Sequence, residues 1–139
     1  MPPVRAVLDT NVVVSAHLKE RGQEALILEL ALSGRFELVV SPALLQEYEE
    51  VLLRPRFNLY PAAITRSIRA IRHLALLVSP TKSLNVTRDP DDNMVLECAS
   101  SGKAHYVVTG NARDFPHRFQ GIHVIAARQF LVILAASVE

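Results

Sequence analysis

Apolar and polar positions along the chain fall into two kinds of run. Short continuous apolar runs between polar or glycine residues read as buried strands. Longer runs with apolar residues recurring every three to four positions read as helices. Arg5 to Leu8, following Val4, is the first short run, and it ends at Asp9. Thr10 and Asn11 are helix-starting types, and Val12 to Leu18 continues as an apolar segment predicted to be helical despite its β-branched valines. Gln23 to Ser33 reads as a helix halted by Gly34, and Phe36 to Val40 as a second strand. Ser41-Pro42 supplies a cap and a first-turn proline for a helix that runs to about Leu53 and stops before Pro55. From Pro61 to about Leu77 an amphipathic helix carries Arg66, Arg69 and Arg72 at three-residue spacing, hence along one side. Asp89-Pro90-Asp91-Asp92 forms a turn into a helix from about Asn93 to Ser101, with Gly102 at its end. His105 to Val108 and Ile122 to Ile125 read as strands, and Ala127 to Ala136 as a closing helix.

Strands alternating with helices, with crossovers long enough for parallel pairing, predict an α/β fold: a three-layer α/β/α sandwich around a mainly parallel sheet, one domain over residues 1–139. In such sheets the working site lies at the carboxyl ends of the strands. Asp9 follows the first strand and Thr109-Gly110-Asn111 follows the His105 to Val108 strand, so both fall at the same sheet edge. Composition agrees with a globular chain: half of the residues are apolar and 21% are charged, which excludes a disordered or fibrous class. A lone cysteine, Cys98, excludes an internal disulfide and suits a reducing compartment; its apolar helical neighbours make it a core residue. No apolar run reaches the ~20 residues of a membrane span, and Met1 to Arg5 lack the charged-then-apolar pattern of a secretory signal. The expectation is a cytoplasmic protein with no membrane association.

The net charge of +1 conceals an asymmetry. Residues 1–50 hold eight acids and four bases, residues 51–88 hold seven bases and no acid, and residues 89–139 hold six acids and four bases. A basic middle between acidic flanks suits a polyanion approaching a carboxylate site; a solvated face or a dimer rim is the plainer reading of the same arginines. Four acids can converge at the sheet edge: Asp9, Glu47, Asp92 and Asp114. Each also has an ordinary reading. Asp9 can cap a helix, Glu47 can belong to a solvated face with Glu49 and Glu50, Asp91 and Asp92 compete as cap and ligand, and Asp114 can be a loop residue. Gathered carboxylates repel one another unless a cation neutralises them. Oxygen donors without a His or Cys cluster favour Mg²⁺ or Mn²⁺, ions that assist attack on a phosphodiester. The five histidines are scattered without ligand spacing.

These segments carry a resemblance. Val7-Leu8-Asp9-Thr10-Asn11-Val12, Ser41 to Glu47, Asp89-Pro90-Asp91-Asp92-Asn93 with Leu96 to Ala99, and Tyr106 to Asn111 with Asp114-Phe115 follow in order at suitable spacing. Together with the tail from Gly121 to Leu131 they resemble PIN domains, metal-dependent ribonucleases that include the VapC-type toxins of toxin–antitoxin pairs. The resemblance implies Asp9 and Asp92 as principal ligands of Mg²⁺ or Mn²⁺ and Glu47 as a catalytic acid acting through water. It implies Asn11, Thr109 and Asn111 as residues that position those carboxylates. Asn111 stands where many members carry Asp, and Asp114 takes its place, as in members reading N-x-x-D-F. The resemblance further implies an RNA substrate, for which Arg66, Arg69 and Arg72 are the candidate backbone contacts, a homodimer, and an antitoxin partner lying across the active site. Two other functions stay open. D-T-N-V also resembles the nucleophile loop of haloacid-dehalogenase phosphatases, with Asn11 where that loop has its second carboxylate. A PIN fold serving only as a binding module is the other, and Asn111 keeps it open.

Overall fold

The computed structural model describes residues 3–137; Met1 and Pro2 of the opening segment lie outside it, as do residues 138 and 139. Six short strands are β1 (Arg5–Leu8), β2 (Glu37–Val40), β3 (Leu76–Leu77), β4 (Tyr106–Val108), β5 (Arg118–Phe119) and β6 (Ile122–Ile125). The helices are α1 (Thr10–Leu18), α2 (Gln23–Leu32), α3 (Pro42–Leu52), α4 (Pro61–Leu74), α5 (Pro90–Ser101) and α6 (Ala127–Ala136). Across the sheet the order is β3-β2-β1-β4-β6-β5, parallel throughout except for the β5–β6 pair. This is the three-layer α/β/α arrangement that the alternating pattern predicts, with α5 packed on β1, β2 and β4. Ala6, Val7 and Leu8 in β1 and Val107 and Val108 in β4 have no exposed surface, as expected for parallel strands covered on both faces. No helix among the described residues is long and apolar enough to cross a membrane.

From β1 the chain moves outward through β2 to β3, then returns to place β4 on the other side of β1. The strand order therefore reverses between β1 and β4, and a crevice opens at such a switch point, outside the carboxyl ends of the strands. Asp9 lines that crevice, and Thr109, directly after β4, is buried.

The structure departs from the sequence pattern in several places. Helix α5 begins at Pro90 rather than near Asn93: Asp89 caps it by accepting the Asp91 N–H at 2.9 Å, and a first-turn proline forfeits no helical bond. Helix α4 stops at Leu74, and Leu76–Leu77, helical by the sequence pattern, become β3. They pair with Val39 and Val40, and the Val78 N–H donates to the Val40 carbonyl at 2.8 Å. Otherwise the outer backbone groups of β2 would lack partners, and that demand outweighs the helical period. Strand β5 has no counterpart in the sequence pattern. It arises from a two-residue hairpin at Gln120 and Gly121, both at positive φ (52° and 79°), the geometry such tight turns require. Finally, 3-10 turns at Pro55–Phe57 and Ala112–Asp114 interrupt segments that the pattern leaves as loop.

Wholly buried Tyr48 donates its hydroxyl proton to the Leu8 carbonyl, tying α3 to the end of β1. Phe36 and Phe130 meet edge to face, with centroids 4.9 Å apart. Cys98 is a core residue, as expected, and burial pushes its thiol up to about 12. Gly102 closes α5 against β2: a methyl group there would lie 2.4 Å from Cγ1 of fully buried Val39. Because Val39 is stiff at χ1 and enclosed, Gly102→Ala is expected to cost about 1–3 kcal/mol in urea unfolding, with part of the loss recovered when Val39→Ala is added. Equal stability of Gly102→Ala and wild type would show that the packing between α5 and β2 is not tight there.

Candidate functional site

Asp9 stands one residue beyond β1, and its N–H donates to the Val108 carbonyl at 2.9 Å, drawing the ends of β1 and β4 together. The residue is 7% exposed, and its side chain is held on both oxygens. Oδ1 accepts from the Thr10 N–H at 2.8 Å; Oδ2 accepts from the Thr109 hydroxyl at 2.7 Å and from Asn11 Nδ2 at 3.3 Å. The Thr109 Oγ1 in turn accepts the Asn111 N–H at 3.0 Å, and Asn11 Oδ1 accepts the Gly110 N–H at 3.0 Å. Asn11 and Thr109 thus orient Asp9, while Asn111 adds only a backbone proton to this net and lines the cleft in front of it.

Glu47 comes from α3, whose first turn is capped by Ser41 Oγ accepting the Leu44 N–H at 3.1 Å. Its Oε2 accepts a hydrogen bond from Thr10 Oγ1. Of its acidic neighbours, exposed Glu50 instead accepts a hydrogen bond from Gln46 Nε2 at 3.1 Å. The solvated-face reading therefore suits Glu50 and not Glu47.

The first turn of α5 brings three acids to the site. Asp89 is the cap, Asp91 stands beside Glu47 and acts by its charge on Asp9 as well, and Asp92 feels the charges of Asp9, Asp89 and Asp114. The sequence poses Asp91 and Asp92 as alternatives, but both line the cleft. Nor does it single out Asn93, which is buried and staples the preceding loop: Oδ1 accepts the Val86 and Thr87 N–H groups at 3.1 and 2.8 Å, and Nδ2 donates to the Thr87 carbonyl at 3.1 Å. An asparagine directly after the carboxylate run is the available signal.

Asp9, Glu47, Asp91 and Asp92 share a cleft of about 370 Å³ with Arg54, Arg56 and Phe57. Burial raises the Asp9 pKa above the usual carboxylate value against the opposing hydrogen bonds from Thr109 and Thr10, and Asp89 and Asp91 add to the rise. Burial, then the charge of Asp91, pushes Glu47 up to about 7. Burial, then the charges of Asp9, Asp89 and Asp114, pushes Asp92 to about 6. These carboxyls crowd one another in a partly dehydrated space, a field that a cation would relieve. Among the described residues no three His, Cys, Asp or Glu side chains form a ready-made ligand group. The donors accordingly fit an ion held by one or two carboxylates with water completing its shell, the usual manner of Mg²⁺, and not a dehydrated cage.

The remaining candidates lie elsewhere. Asp114 is exposed in the 3-10 turn and lines an adjoining cleft of about 490 Å³, which meets the first at Asp92. Arg66, Arg69 and Arg72 project from α4 into solvent, and none lines either cleft. The arginines that do reach the first cleft, Arg54 and Arg56, flank Pro55 in the turn after α3. They belong to the acid-free stretch but to no periodic helix, so charge alone could have singled them out.

The chain belongs to the PIN domain family, whose model matches residues 5–113. The match takes in Asp9, Glu47, Asp92, Thr109 and Asn111 and stops short of Asp114. The chain is 30% identical over 111 residues to the uncharacterized protein MJ1680 of Methanocaldococcus jannaschii, covering 78% of this chain and 71% of that one. Solved structures share its fold, and two serve for comparison. One is PAE2754 from Pyrobaculum aerophilum (TM-score 0.65, 16% identity, 96% of this chain and 91% of that one). The other is VapBC2 from Rickettsia felis bound to a DNA fragment from their promoter (TM-score 0.61, 15% identity, 88% and 98%).

A carboxyl whose folded pKa lies above its unfolded value favours folding while protonated and loses that contribution as pH rises through the folded value. Wild type is therefore expected to lose stability relative to Glu47→Gln as pH rises from 4.5 to about 7 in metal-free buffer. Paired thermal melts across that window measure the difference. A gap that stays flat would show that Glu47 titrates as an ordinary solvated acid.

Proposed function

We propose that this protein is a divalent-metal-dependent endoribonuclease and the toxin member of a toxin–antitoxin pair. The observation that carries the reading is the convergence of Asp9, Glu47 and Asp92 on one cleft at the β1–β4 switch point, in a chain of the PIN domain family. Asp9 and Asp92 would hold Mg²⁺ or Mn²⁺, with Asp9 fixed in direction by Thr109 and Asn11. When bound, the ion supplies charge stabilisation at the phosphoryl oxygens and a more acidic water. Glu47 lies across the cleft with Thr10 holding Oε2, in position to orient a water and take its proton; a carboxyl with a pKa near 7 is well matched to that work. Asp91 beside it keeps that proton affinity high. Asp114 sits one cleft further on and acts on Asp92 through its charge.

Fold kinship with the VapBC2 complex from Rickettsia felis supports an antitoxin as partner. A homodimer is supported by apolar side chains exposed on α2 and α6, among them Leu26 and Val132. The phosphatase reading has no comparable support. Asp9 is buried with both oxygens engaged, and Asn11 is spent on Asp9 and Gly110 rather than poised as an acid.

Asp9→Asn is expected to lower cleavage of single-stranded RNA on the order of 100-fold or more with the circular dichroism spectrum unchanged. EDTA should abolish wild-type cleavage, and Mg²⁺ or Mn²⁺ should restore it. Full cleavage by Asp9→Asn, or cleavage indifferent to EDTA, overturns the proposal.

A further inference from the structure

The two clefts adjoin at the first turn of α5, and Asp92 is the residue that lines both. Arginines sit on either side of it: Arg54 and Arg56 in the first cleft, Arg88 and Arg113 in the second. Arg54 and Arg56 are exposed, and the Arg88 and Arg113 side chains reach the open second cleft. Among the described residues the ion pair is Arg5–Glu37, so none of the four is paired with a carboxylate although several lie close by. Unpaired guanidinium groups at the rim of a cleft are suited to phosphate oxygens, which they meet with two parallel hydrogen bonds.

The clefts also have an aromatic element. The Arg56 guanidinium carbon lies 4.8 Å from the centroid of the Phe57 ring, and both residues line the first cleft. Arginine and phenylalanine planes joined in this way make a surface on which a base of any identity can stack. Volumes of about 370 and 490 Å³ lie within the range of small-molecule sites, which suits individual nucleotide units.

Resting on the nuclease reading above, we propose that single-stranded RNA lies across both clefts. Arg54 and Arg56 hold its backbone on one side of Asp92, Arg88 and Arg113 hold it on the other, and one base rests on the Arg56–Phe57 surface. The phosphodiester that crosses Asp92 is then carried over the carboxylates, with chain continuing in both directions. A track open at both ends needs no RNA terminus, so the cut falls inside the strand.

The test uses the full chain carrying Asp9→Asn, so that binding is read without cleavage, and a fluorescein-labelled unstructured oligoribonucleotide in metal-free buffer. Anisotropy titrations at several salt concentrations give the slope of log affinity against log salt, whose magnitude is about 0.7 for every phosphate that the protein neutralises on a single strand. R54Q/R56Q and R88Q/R113Q are each expected to lower that magnitude by about 1.4, and lysines at the same positions to restore it. The triple variant R66Q/R69Q/R72Q on α4 is expected to keep the slope of the parent. An unchanged slope in either pair, lysine variants no better than glutamine, or an equal drop in the α4 variant would each overturn the track. Cleavage by the wild-type chain, followed in parallel, separates the two claims. Asp9-dependent cleavage with unmoved slopes defeats the track alone, whereas no cleavage by wild type defeats the nuclease reading.

Discussion

A carboxylate taken out of water at the end of a parallel sheet is costly unless hydrogen bonds replace its lost hydration, and the Asp9 environment is built around that demand. The Thr109 hydroxyl from the neighbouring strand end, the Thr10 N–H and the Asn11 amide all point at its two oxygens. Those donors exist together because β4 runs directly beside β1, and the Asp9 N–H to Val108 carbonyl bond closes the gap beyond their paired residues. Tyr48 then fastens α3 to the last carbonyl of β1, so the helix that carries Glu47 is referenced to the same strand end. The acid is thus both the reason for the local hydrogen-bond net and the fixed point from which the other carboxyls are placed.

Helix α5 shows how one turn can serve several purposes. Asp89 caps it, while Asp91 and Asp92 both line the cleft, Asp91 acting by its charge on Glu47 and Asp9, and Asp92 feeling the charges of Asp9 and Asp114. Asn93 completes the turn by gripping the loop before it, which ties the register of all three acids to a buried amide.

Much of this is legible without coordinates because it depends on local pattern. Strand β1 and helix α6 have the bounds that their apolar runs indicate, and Asp9 and Thr109 share the sheet edge that strand ends imply. What is not legible depends on contacts distant in sequence. Leu76 and Leu77 look like the end of a helix until the bare edge of β2 is known. Arg118 and Phe119 have no strand signature apart from the hairpin that follows them. The three arginines of α4 stand out by spacing, yet the fold brings Arg54 and Arg56 to the cleft, because the turn after α3 folds back over it. Periodicity reports which face of a helix is wet, but not what lies opposite.

Both margins of the sheet, β3 and β5, are strands of two residues. Such short margins offer an incoming chain too few free amides and carbonyls to template another strand, a common protection against edge-to-edge aggregation. Extension of the sheet at either margin is therefore disfavoured, which helps to keep the strand ends at Asp9 and Thr109 clear of an intermolecular β-ladder.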